Sequence, residues 1–141
     1  MVISARSRYA LRVMVELAEQ ENQVYTPLRD IAARQEISEK YLESILAELV
    51  RAGLLEGTRG KGGGYRLSRP ADQYTVGSIL RITEGSLAPV ACLDDRRACC
   101  SRVDRCRTYP MWQKLDHMIE TFFDSISLSD LMRTENDPPR I

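Results

Sequence analysis

The spacing of apolar and polar positions changes along the chain, and each change marks an element. Between residues 6 and 20, Tyr9, Leu11, Val13, Met14, Leu17 and Ala18 recur at helical spacing and predict a buried amphipathic helix. Residues 23–25 are long enough only for a stub of strand. Thr26-Pro27 then opens a short helix, LRDIAARQE, with Thr26 as its N-cap and Pro27 at the first helical position. After a few turn residues, 35–37, Ser38 caps a third helix, EKYLESILAELVRA. Its apolar stripe is Tyr41, Leu42, Ile45, Leu46, Leu49 and Val50, and Gly53 follows as the C-terminal cap.

Next comes a strand-like period. Leu54-Leu55-Glu56 starts one strand and Tyr65-Arg66-Leu67 returns as another. Between them lies a glycine-rich tip, GTRGKGGG, and Pro70 ends the hairpin. Thr75 caps a further helix, VGSILRITE, which Gly85 stops. Residues 86–110 show no period. After Pro110, one broad face carries Met111, Leu115, Met118, Ile119, Phe122, Phe123 and Ile126, the mark of a long amphipathic helix. Ser127 caps a last turn, LSDLM, and residues 134–141 read as a disordered tail.

This order predicts a mainly α fold with a small β-hairpin. It is that of a winged helix-turn-helix followed by a long C-terminal dimerisation helix. The expected divisions are a DNA-binding domain at 1–85, a cysteine-rich sensor loop at 86–109, the dimerisation helix with its short terminal helix at 110–133, and the tail at 134–141.

Charge changes the picture only through its distribution. The chain carries 20 basic and 20 acidic residues. Yet residues 1–12 hold Arg6, Arg8 and Arg12 without an acid, and residues 57–69 hold Arg59, Lys61, Arg66 and Arg69 without an acid. Local patches of this kind attract phosphates whatever the net charge. Together with the helix-turn-helix order they point to double-stranded DNA. The start of the third helix offers Ser38, Lys40, Tyr41, Glu43 and Ser44 to a major groove, with Glu43 able to accept from cytosine N4. At the hairpin tip, Gly62 and Gly63 allow close backbone approach, while Arg59 and Lys61 reach a minor groove or phosphates. A nucleotide-binding loop is not expected, because Lys61 precedes three of the glycines and a strand, not a helix, follows.

No long apolar run occurs in residues 1–9 or elsewhere, so neither a signal peptide nor a membrane span is expected, and the location expected is cytoplasmic. In that compartment, Cys92, Cys99, Cys100 and Cys106, gathered within one polar loop, argue for a metal or redox site over structural disulfides. Nearby Arg96, Arg97, Arg102, Arg105 and Arg107 would offset thiolate charge. Zinc, a thiol–disulfide switch and an iron–sulfur cluster all fit four such cysteines. With one histidine and no paired acid–base constellation, an enzyme is not expected. Trp112, Leu115, Met118, Ile119 and Phe122 form the expected dimer interface, so two recognition helices would read a palindromic operator.

Three segments carry a family resemblance: Arg8-Tyr9-Ala10, the run from Ile37 to Glu43, and above all RGKGGGYRL at 59–67. They resemble the winged-helix regulators that include IscR, NsrR, RirA and CymR. The resemblance spans roughly residues 1–132. It implies a homodimeric repressor or activator and, in the cluster-binding members, three cysteine ligands before the dimerisation helix. Cys92, Cys100 and Cys106 occupy that place, which implies an iron–sulfur cluster of the 2Fe-2S or 4Fe-4S type. The fourth ligand departs from the family. Tyr109 stands where one group has histidine, and Arg8 where another has an acid. Cys99 is a fourth or substitute ligand, His117 a further option, and an open iron site the remaining one. CymR-like members, which lack the cluster, imply the alternative: control by cysteine oxidation, zinc or a protein partner.

Overall fold

The computed structural model describes residues 2–133, so the tail assigned to 134–141 lies outside the described residues. Helix α1 (Ala5–Ala18) starts at Ser4, whose hydroxyl accepts from the Ser7 N–H at 3.1 Å. Helix α2 (Leu28–Gln35) meets α3 (Glu39–Arg51) across a tight turn in which Glu36 takes a left-handed conformation, φ 55°. Strands β1 (Leu55–Thr58) and β2 (Gly64–Leu67) form an antiparallel hairpin pairing Leu55 with Leu67 and Thr58 with Gly64. Helices α4 (Val76–Glu84), α5 (Tyr109–Asp124) and α6 (Leu128–Leu131) complete the described chain. The mainly helical fold with one hairpin and a long C-terminal helix is the one expected.

Three sequence expectations are corrected. Thr26 does not cap α2. It pairs with Tyr65 as an isolated bridge, with N–H···O distances of 2.9 Å in both directions, and Pro27 takes the cap position without a side-chain bond. The hairpin therefore gains a third, one-residue strand where only a stub at 23–25 was expected. Tyr41 and Val50 leave the apolar stripe of α3 and are exposed. Ile126 lies beyond the end of α5 and fills a core position ahead of α6.

The main core joins Val13, Met14 and Leu17 of α1, Ile31 of α2, and Leu42, Ile45, Leu46 and Leu49 of α3 to Leu55, Leu67, Tyr74, Ile79 and Leu128. A second cluster, Val76, Leu80, Leu87 and Ile126, takes Ile119 and Phe123 from α5 against it. Tyr74 is fully buried and closes the base of the hairpin. Its hydroxyl donates to the Leu54 carbonyl at 2.7 Å and accepts from the Ser68 N–H at 3.0 Å.

Candidate nucleic-acid interface and cysteine loop

The reading end of α3 is built by its cap. Ser38 Oγ accepts from the Tyr41 N–H at 3.3 Å, while buried Leu42, Ile45 and Leu46 turn the opposite face inward. Ser38, Lys40, Tyr41, Glu43 and Ser44 are consequently all exposed at one end of the helix. Tyr41 stands edge-on to Tyr9, with ring centroids 6.0 Å apart, and Arg12 lies 5.3 Å above the Tyr9 ring. Of the three arginines in the basic segment at 1–12, Arg6 is tied up in an ion pair, while Arg8 and Arg12 are exposed. Arg6 is paired with Glu48 at 2.7 Å and also donates to Ser44 Oγ at 3.0 Å. Glu48 is thus half-buried in that pair. Arg12 donates to the Gln35 side chain and carbonyl and keeps its charge uncompensated by an acid.

The second element is the hairpin tip, where Arg59, Lys61 and Gly62 are exposed and Gly63 half-buried. Gly62 needs its left-handed backbone, φ 77°, and a Cβ on Gly63 would stand 2.6 Å from the Thr58 carbonyl. The tip is anchored from below. Gly64 has φ 145° and no room for a Cβ against the Thr26 backbone, and Arg66 lies 4.3 Å over the Tyr25 ring while pairing with Glu56 at 2.8 Å. Tyr74 was missed in the sequence, and Thr26 was given the wrong role. Both act through hydrogen bonds to backbone distant in the chain, which no local pattern records.

Between α4 and α5 the chain has only two short 3-10 turns, Ala91–Leu93 and Val103–Arg105. All four cysteines are free thiols. Cys92 and Cys100 line one open cavity together with Arg97. Cys106 is not among the residues lining that cavity and lies 3.3 Å from Thr108 Oγ1, and Cys99 is exposed. The Thr108 hydrogen bond, with help from backbone N–H groups and Arg102, holds the Cys106 thiol below its ordinary range. Among the described residues, no three ligating side chains gather into a metal site. Arg96 and Arg97, expected to offset thiolate charge, instead engage Asp94 at 2.9 and 3.7 Å. His117 is exposed on α5, and Tyr109 is the first residue of that helix.

Helix α5 buries none of its residues fully. Leu115, Met118 and Phe122 face outward with Met111, Trp112 is half-buried, and Ile119 packs on the second core cluster.

The family model described as "Rrf2: Iron-dependent Transcriptional regulator" matches residues 3–134. The chain belongs to the Rrf2 family. An IscR transcriptional regulator of Vibrio atlanticus is 36% identical over 133 residues, 94% of this chain and 76% of that protein. The structure of CymR, the global cysteine regulator of B. subtilis, superimposes with a TM-score of 0.76 at 35% identity, covering 93% of this chain and 95% of that one. T. potens IscR gives a TM-score of 0.70 at 32% identity, covering 93% and 85%. The Rrf2 chain is thus a DNA-binding transcriptional regulator of winged-helix type, and its relatives are regulators, not enzymes. Among the described residues no helix is long and apolar enough to cross a membrane.

Proposed function

We propose that this Rrf2 protein is a cytoplasmic homodimer that represses or activates at palindromic operators, with DNA affinity set at the cysteine loop. The observation that carries the reading is the exposed start of α3, whose cap and core contacts hold Ser38, Lys40, Tyr41, Glu43 and Ser44 outward beside a glycine-rich basic wing. Two such helices, related by a two-fold axis, match the two half-sites of a palindrome. The outward seam Met111, Leu115, Met118 and Phe122 recurs at three- and four-residue steps and supports α5 as the dimer contact.

In donor chemistry the loop fits an iron–sulfur cluster, since thiolates are its usual ligands. Cys92, Cys100 and Cys106 are the residues that would hold it, with Cys99 as a fourth or substitute ligand. When bound, a cluster supplies a species whose gain or loss reports iron, iron–sulfur status, redox state or nitric oxide. This chain's own residues supply the coupling. The loop runs directly into α5, and Arg81 of α4 holds Asp124 of α5 through two 2.8 Å hydrogen bonds. A loop rearrangement that moves α5 is therefore passed to α4, which packs on α1.

A second reading, control without a cluster, is favoured by the likeness to CymR. In it, thiol oxidation, zinc or a protein partner acts on the same loop. Anaerobic purification with an absorption spectrum and iron, sulfide and zinc counts per chain separates the two. Matching iron and sulfide in a coloured protein establish the cluster. A colourless protein that takes up no iron on reconstitution supports the second reading.

A further inference from the structure

We infer that a notch between the C-terminal end of α3 and the wing seats one sugar–phosphate unit of the DNA strand that separates the two grooves. The inference deepens the proposed DNA-binding reading and rests on it. The notch has a volume of about 320 Å³ and is lined by Ala47, Val50 and Arg51 from α3 and by Gly57, Arg59 and Tyr65 from the hairpin. Its floor is apolar. Val50 remains exposed, and Gly57 brings backbone so close that a Cβ there would lie 3.3 Å from the Tyr65 ring and 3.7 Å from Val50. Its rim carries two cations. Arg6, Arg34, Arg66, Arg81 and Arg96 are each paired with a carboxylate. Arg51 and Arg59 are exposed and, among the described residues, make no ion pair.

Position argues for the occupant. Lys40, Glu43 and Ala47 follow one exposed face of α3 toward Val50 and Arg51, where the wing begins. A helix in the major groove and a wing in the adjacent minor groove must straddle one backbone strand. The notch lies between them. A deoxyribose matches its apolar floor, and a phosphate matches two guanidinium groups. Arg51, which the sequence pattern left inside the third helix without a role, becomes a backbone-positioning residue.

The test compares the full-length chain with the variants R51Q, R59Q, R51K and R51Q/R59Q, each with unchanged thermal melting. Binding is measured by anisotropy on a duplex selected from a random pool and on a scrambled duplex, between about 50 and 200 mM salt. The double variant should lower the slope of log affinity against log salt by about 0.9, one phosphate's worth. R51Q should weaken both duplexes by the same factor, roughly tenfold, and R51K should restore the slope. Losses in R51Q and R59Q should be less than additive, because one phosphate is shared. An unchanged slope overturns the inference, as does a loss confined to the selected duplex, which would mark a base contact. Failure of the wild-type chain to bind either duplex would instead overturn the DNA-binding reading itself.

Discussion

Single residues set the wing and the reading helix. Gly64 has φ 145° and faces the Thr26 backbone, so a methyl group there must displace the Thr26–Tyr65 bridge. G64A should cost on the order of 1–3 kcal/mol in thermal or urea unfolding and weaken DNA binding further by tilting the wing. A melt within a degree of wild type would show that the wing is not anchored there. Tyr74→Phe should cost about 1–3 kcal/mol, because it removes the Leu54 carbonyl's buried donor. A neutral result would show that the bond is replaced. The caps at Ser38, Thr75 and Ser127 were legible beforehand, since each is a short polar residue just ahead of a periodic run, and each accepts from the helix it opens. Thr26 had the same local appearance and was read the same way. Only the distant partner Tyr65 decides that it belongs to a bridge.

Elements are tied to one another by a few charged contacts that cross the helical packing. Arg81 holds Asp124 bidentately, and Gly77 lies so close to Asp124 that it has no room for a side chain. The hydrogen bonds from Arg81, above all, hold the Asp124 carboxyl below the usual carboxylate range. A depressed native value means that the contact stabilises above the unfolded pKa, about 3.9, and loses its contribution as pH falls through the native value. Asp124 is half exposed, so the contribution is at most about 1 kcal/mol. Urea midpoints of wild type and D124N should therefore differ at pH 6 and converge as pH falls through the depressed native value. A difference that persists unchanged in acid would assign the effect to packing. The outward seam of α5 makes a separate prediction. M118D/F122D should run as a monomer in light scattering, with its core melting retained, while a persisting dimer would place the interface elsewhere. The periodicity of α5 showed a broad apolar face but not its division. Ile119 and Phe123 turn inward and Met118 and Phe122 outward because α4 and Ile126 cover only one side of the helix.

At the scale of the whole molecule, the helix-turn-helix, wing and long helix were readable because each depends on local period and capping. The cysteine loop was readable only as composition. Four thiols in 15 residues announce a site, but two share a cavity and the third stands with Thr108. The loop also holds the contacts of Asp94 with Arg96 and Arg97, which no spacing rule reveals. The central claim is that the state of this loop sets DNA affinity through α5. The most direct measurement is the affinity of anaerobically purified protein for a duplex selected from a random pool, before and after treatment with an iron chelator, with iron counted in both states, at one salt concentration. A change of tenfold or more that tracks the iron content, and is lost in a Cys92, Cys100 and Cys106 triple serine variant, is the expected result. Equal affinity in both states, with iron shown to be present and then removed, would contradict it.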